Sequence, residues 1–203
     1  MTEKNDPGLP LDAPDATISI DPASATVVVR AGPFQRILSF DEALLVAMRR
    51  YHSPVRTSVA RALTRAGDAS TWTAVGIACL ATFTRRGAHL GLRLGVATGI
   101  ATLLSQALKR SLTRARPDVS IAGFEALAVN PDRFSFPSGH TAAAFGVAVA
   151  FAGEPWGLGP LALILAVGIA LSRVYLGAHY PLDVGAGATL GVFAGVASRL
   201  IVS

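Results

Sequence analysis

Along this chain the spacing of apolar positions changes twice. Residues 1–35 mix Asp, Pro, Ala and Ser, lack the pattern of a signal peptide, and read as a mostly disordered polar tail. A weak strand pair is allowed around 18–20 and 27–29. From 36 to 68 the pattern becomes helical. Leu38, Leu44, Leu45, Met48, Val55, Val59 and Leu63 recur among six arginines from Arg36 to Arg65. Such basic amphipathic helices suit either a membrane surface or the rim of a bundle. Five apolar stretches follow, at 70–84, 88–108, 141–153, 157–171 and 184–202. A spanning helix needs roughly 20 residues, so the third and fourth reach that length only if 138–140 and 172–176 continue their helices. Arg93 and Arg199 are the charges well inside these stretches, and each must snorkel or face the bundle interior. The pattern predicts an all-α membrane helix bundle over 69–203, with about five spanning helices plus N-terminal amphipathic surface helices. A long polar connection, 109–137, interrupts the apolar series.

Composition strengthens this reading. Of 203 residues, 51% are hydrophobic and 15% charged, with mean hydropathy +0.48; soluble domains carry about 25% charge. One cysteine, Cys79, excludes an intramolecular disulfide and a thiol-rich metal site. The net charge of +5 lies beside apolar stretches, where anionic headgroups or a substrate phosphate account for it without nucleic acid.

Three polar clusters carry candidate chemistry. Lys109 and Arg116 stand two helical turns apart on one face, ahead of Pro117, and two fixed cations suit a tetrahedral dianion. A juxtamembrane basic patch would look the same. In Phe136-Pro137-Ser138-Gly139-His140-Thr141 a loop turns into an apolar helix, whose N-terminal amide groups favour phosphate. Ser138 would cap it or donate its hydroxyl, Gly139 would let the backbone approach a ligand, and His140 would sit beside the anion. An ordinary Ser-capped helix is the plainer reading. In the third cluster, running from Ser172-Arg173 to His179-Tyr180-Pro181-Leu182-Asp183, Pro181 suits the first turn of the last helix. Asp183 could then orient the His179 imidazole and leave its other nitrogen free to attack. A structural His–Asp pair is the alternative. A hydrophobic helix pair separates the second cluster from the third, and the first ends the preceding helix, so all three should meet at one end of the bundle.

Lys-x6-Arg-Pro, then Pro-Ser-Gly-His, then Ser-Arg-x5-His-x3-Asp resembles the three-part signature of the type-2 phosphatidic acid phosphatase superfamily, over roughly the last two-thirds of the chain. The Leu-Thr-Arg-Ala-Gly-Asp stretch at 63–68 is similar to bacterial members, less specifically. The resemblance implies a phosphatase in which His179 attacks phosphorus to give a phosphohistidine, oriented by Asp183, while His140 protonates the leaving lipid oxygen and then activates water. Lys109, Arg116, Ser138, Gly139 and Arg173 would hold the phosphoryl oxygens. It implies no metal and no other cofactor, activity in excess chelator, and a bell-shaped pH profile. Soluble haloperoxidases and acid phosphatases share the signature, and the apolar stretches argue against both.

The expected partners are the bilayer and a membrane lipid phosphate, with no nucleic acid and no obligate protein partner. An isoprenoid phosphate or diphosphate such as undecaprenyl diphosphate is favoured, because the chain lacks an elaborate outer domain to read a larger headgroup. Phosphatidic acid, phosphatidylglycerol phosphate and an isoprenoid phosphate-sugar remain alternatives, as do a lipid phosphotransferase and a non-catalytic lipid-binding protein. The expected location is the bacterial inner membrane, multi-pass. The arginines at 36–65 favour a cytoplasmic site by the positive-inside rule, against Arg85 and Arg86 at the other end.

Overall fold

The structure, a computed structural model, describes residues 17–21, 26–30, 32–128, 132–155 and 157–203. Much of the expected polar tail (1–16, 22–25 and 31) lies outside the described residues. Strands β1 (Thr17–Asp21) and β2 (Thr26–Arg30) form an antiparallel hairpin, with Ile18 opposite Val29. The helices are α1 (Pro33–Met48), α2 (Pro54–Ala66), α3 (Ala69–Leu80), α4 (Arg85–Leu112), α5 (Pro117–Ser120), α6 (Gly139–Ala150), α7 (Leu158–Tyr175) and α8 (Pro181–Ile201). Prolines open α1, α2, α5 and α8, where the missing N–H costs no helical hydrogen bond. The amphipathic region divides at Pro54 for that reason, and Ser53 caps α2 by accepting from the Arg56 amide at 3.3 Å.

α6 is the axis of the bundle. Ala143, Ala144, Val147 and Ala148 pack with Trp72 of α3, Leu94 of α4, and Ala166 and Ile169 of α7. Ala142 packs with Ala101 of α4 and Ala194 of α8. α4, α7 and α8 are each long and apolar enough to cross a membrane, whereas α3 and α6 are apolar helices of 12 residues. As foreseen, the fourth stretch reaches spanning length by running on through Ser172–Tyr175. The third stops at about 18 Å of helix, and α4, α7 and α8 surround it. Leu161 and Ile164 of α7 and Phe193 and Leu200 of α8 are exposed outward, as a lipid-facing shell requires.

α6 and α8 touch backbone to backbone. A Cβ at Gly187 would lie 2.5 Å from the Ser138 carbonyl oxygen, and one at Gly191 would lie 2.4 Å from that of Ala142. Small residues four apart permit this approach, and membrane helices associate through such faces. The contact presses the start of α6 against the first turn of α8, bringing the second and third polar clusters together.

α1 and α2 clasp the rim where those clusters lie. Leu45 is buried against Phe124, Val174 and Tyr180, and Leu63 of α2 packs over Gly168 of α7. The Tyr175 hydroxyl accepts the Ser53 amide at 3.1 Å. Phe34, Ile37, Phe40, Val55 and Val59 remain exposed on the far faces, an apolar surface suited to the membrane interface. At the opposite end Arg86 and Arg93 meet Glu154 at 2.9 and 3.8 Å, Arg93 donates to the Val202 carbonyl, and Arg199 donates to that of Ala152. The two arginines inside apolar stretches thus tie helix ends together.

Candidate active site

The third cluster is built from two helix ends. α7 finishes with Gly177 at φ +70, a left-handed conformation that glycine adopts without strain. The Gly177 amide donates to the Val174 carbonyl at 2.9 Å and the Ala178 amide to the Arg173 carbonyl at 3.0 Å, the pairing of a Schellman stop. The turn carries His179 back beside Arg173. Two residues later Pro181 starts α8, and Asp183 in its first turn accepts the Tyr180 amide at 2.9 Å through Oδ2. The same oxygen lies 3.6 Å from Nδ1 of His179. That is an ion-pair distance, longer than a hydrogen bond, and both side chains are almost wholly buried. The arrangement directs Nδ1 toward the carboxylate and leaves Nε2 as the nitrogen free to react.

The second cluster enters through the Ser138 amide, which donates to the Asp183 carbonyl oxygen at 3.0 Å. Ser138 occupies the N-cap position of α6 without capping it. Its hydroxyl accepts from Thr141 at 3.0 Å, and the residue is fully buried. Gly139 and His140 face the cleft. The amides of Gly139, His140 and Thr141 precede the first intrahelical donor, Ala142, so this helix start favours an anion. Nε2 of His140 pairs with Oδ1 of Asp68 at 2.9 Å. Asp68 precedes α3, in the stretch 63–68 noted in the sequence. From the same stretch Thr64 accepts from Arg173 at 2.5 Å.

The first cluster lies across the cleft. Lys109, in the last turn of α4, donates to Asp132, whose other oxygen is 3.4 Å from Arg116. Arg116 also donates to the Asp132 carbonyl at 2.7 Å and to that of Ala178 at 2.6 Å, which fastens the post-α4 segment to the His179 turn. Burial tends to raise the Asp132 carboxyl, but Lys109 and Arg116 outweigh it and hold the group below its ordinary range. Burial pulls the Arg116 guanidinium down, against the nearby carboxylates. His179 is lowered to about 4, chiefly by burial and then by the charges of Arg173 and Arg116, against the pull of Asp183. Its imidazole is therefore neutral around pH 7.

Lys109, Arg116, Asp132, Gly139, His140, Arg173 and His179 line one end of a cleft of about 760 Å³. The cleft continues between α3 and α4 past Trp72, Ile77, Gly95, Gly99 and Leu103, so a cationic, imidazole-bearing head leads into an apolar groove. Seven of the eight residues singled out in the sequence meet here: six line the cleft and Asp183 backs His179. Ser138 is adjacent but turned inward. Among the described residues no three His, Cys, Asp or Glu side chains gather as a metal-holding group. Sequence reasoning missed Asp132, Arg114 and Asp41. Arg114 sits inside the Lys-x6-Arg motif, yet no pattern gave it a partner. It donates to Asp183 at 2.8 Å and to Asp41 of α1 at 2.7 Å, with its guanidinium 3.8 Å above the Tyr180 ring.

A helical membrane bundle with a phosphate-suited head and an apolar groove defines a lipid-phosphate class of protein. The profile of the PAP2 superfamily matches residues 90–203, more than half of the chain, and the protein belongs to that superfamily. A decaprenylphosphoryl-5-phosphoribose phosphatase of Mycobacterium tuberculosis is 42% identical over 85 residues, which are 40% of this chain and 44% of that protein. YbjG of Escherichia coli, provisionally named an undecaprenyl-diphosphatase, is 41% identical over 88 residues, 42% of this chain and 43% of YbjG. The chain thus spans less than half the length of these relatives. Among solved structures, a transmembrane PAP2-type phosphatidylglycerolphosphate phosphatase from Bacillus subtilis superimposes with a TM-score of 0.71 at 29% identity, covering 82% of this chain and 86% of that one. Together with the apolar helices, this makes the protein an integral membrane protein of a lipid phosphatase family.

Proposed function

We propose that the protein is a metal-independent lipid phosphate phosphohydrolase that acts on a polyprenyl phosphate or diphosphate through a phosphohistidine. The observation that carries this reading is the cleft, in which two histidines and three cations stand at the mouth of an apolar groove. Phosphate displaces Asp132 from Lys109 and Arg116 and takes up those cations, Arg173 and the amides at the start of α6. Nε2 of His179 then attacks phosphorus as the bond to the leaving oxygen breaks, and that oxygen takes the proton from His140. Charge on the equatorial oxygens is met by the three cations, the part a metal plays elsewhere. Asp183 stabilises the positive charge gained by the imidazole. Water next gives its proton to His140 and its hydroxyl to phosphorus, the P–N bond breaks, and inorganic phosphate leaves with His179 restored.

Two observations support a prenyl substrate: the two curated relatives described above carry polyprenyl substrates in their names, and the groove that leads from the cationic head has an apolar wall. We place the protein in the bacterial inner membrane as a multi-pass chain, with 36–68 as a surface unit and 69–203 as the catalytic bundle. The test is phosphate release by detergent-purified protein from undecaprenyl diphosphate, decaprenyl phosphate-sugar, phosphatidic acid and phosphatidylglycerol phosphate, each with excess chelator. Turnover of the prenyl substrates that persists in chelator is expected. Preference for a glycerolipid overturns the substrate assignment, and loss of activity with chelator overturns metal independence.

A further inference from the structure

Two buried carboxylates share one arginine behind the His179–Asp183 pair. Arg114 reaches Asp183 of α8 with one terminal nitrogen and Asp41 of α1 with the other, at 2.8 and 2.7 Å. The second oxygen of Asp41 accepts the Leu182 amide at 2.9 Å, in the first turn of α8. Asp41 is 2% exposed, although α1 is otherwise a peripheral helix with several exposed apolar side chains. It also lies outside residues 90–203, where the family match falls.

We infer that Asp41 is a positioning residue for the reaction, acting through Arg114 to set the orientation and charge of Asp183 behind His179. This rests on the reading of His179 as nucleophile. A guanidinium paired with Asp183 alone would neutralise the carboxylate that has to balance a cationic phosphohistidine. Divided between two carboxylates, the same guanidinium leaves the Asp41–Arg114–Asp183 trio with net negative charge. Its planar fork, held at one side by Asp41 and stacked on Tyr180, fixes the angle at which Asp183 presents Oδ2 to Nδ1. The bond from Asp41 to the Leu182 amide sets the first turn of α8, from which Asp183 projects. Docking of α1 and competence of the dyad are therefore one arrangement.

The experiment is a double-mutant cycle with Asp41→Asn and Arg114→Lys, assayed as phosphate release from undecaprenyl diphosphate in detergent, with His179→Ala as reference and Asp41→Glu as a variant that keeps the charge. Direct loss of an orienting carboxylate costs up to about four decades in kcat, so one step removed on the order of tenfold is expected. Asp41→Asn should lose that factor in kcat with KM changed less than twofold, Asp41→Glu should recover part of it, and the double variant should lose no more than the worse single one. Unchanged kcat in Asp41→Asn, a loss confined to KM, or additive losses overturn the inference. So does a loss of activity in both Asp41 variants that merely follows a lowered melting temperature. If His179→Ala keeps full turnover, the failure lies in the nucleophile assignment; if it is inactive while Asp41→Asn matches wild type, only the positioning role fails.

Discussion

Replacing Gly99 by leucine should divide substrates by the length of their tails. Gly99 lines the apolar groove, and nothing lies within 4 Å of the position a Cβ would take there, so the new side chain fills the groove without straining the helix. The groove begins at Lys109 and narrows at Gly91, where a Cβ would lie 2.8 Å from Leu80 and 3.0 Å from the Gly76 carbonyl. That stretch of α4 is about 27 Å long, and Gly99 stands about 15 Å from Lys109. An extended hydrocarbon advances about 1.25 Å per carbon, so about twelve carbons fit above the block. The main chain of farnesyl diphosphate ends there, and that of undecaprenyl diphosphate runs far beyond. A tail leaving the bilayer for this groove gains little hydrophobic energy, since both surroundings are apolar. The groove therefore acts by aligning the phosphate with His179, and ångström-scale misplacement of a reacting group costs up to about a hundredfold. Phosphate release from the two diphosphates in detergent should show kcat/KM for the long substrate falling 10- to 100-fold, or roughly 1.4–2.8 kcal/mol, while the farnesyl substrate stays within about threefold. Equal losses on both, or none on either, would refute the claim that the α3–α4 groove holds the tail.

Other consequences concern stability and topology. Gly191→Val drives a side chain into Ala142 and Phe145 and should cost about 1–3 kcal/mol, read as a lower melting temperature in detergent; Gly95→Ala, with open space around it, should not. His179 titrates near 4 in the folded protein against 6.5 when unperturbed, so the folded form binds fewer protons in between. Stability is then fully present above about pH 6.5 and falls on acidification toward pH 4, by an amount on the order of 3 kcal/mol; an unchanged slope in His179→Gln would disprove that source. With the site on the cytoplasmic face, in a Cys79→Ser background, Phe83→Cys should react with an impermeant maleimide on intact cells and Ser58→Cys only after permeabilisation. The reverse pattern would put the site outside.

How far these features were legible from sequence depends on the range of the interactions behind them. The start of the last helix was readable where Pro181 imposes it, and the convergence of Lys109, His140 and His179 followed from counting apolar stretches between motifs; the division of the amphipathic region at Pro54 emerged only in the structure. The 12-residue length of α6 was not, because a central helix walled by α4, α7 and α8 need not match the bilayer, and hydropathy does not distinguish lipid from neighbouring protein. Ser138 had a local role on paper, but the α6–α8 glycine contact and Thr141 turn its hydroxyl inward. Asp68 appeared only as part of a weakly specific stretch, without its partner His140. Asp41 left no signal. It is one acidic residue on an amphipathic helix, and its partners, Arg114 and the Leu182 amide, lie 73 and 141 positions away.

The central claim, that His179 carries the phosphoryl group in a site made by three separate segments, is tested most directly by trapping the intermediate. Undecaprenyl diphosphate radiolabelled in its terminal phosphate would be mixed with the purified protein, quenched in alkali within milliseconds, digested and mapped. Acid-labile, alkali-stable label is predicted on the peptide holding His179 and absent from His179→Ala. Label on another residue, or undiminished phosphate release by His179→Ala, would contradict it.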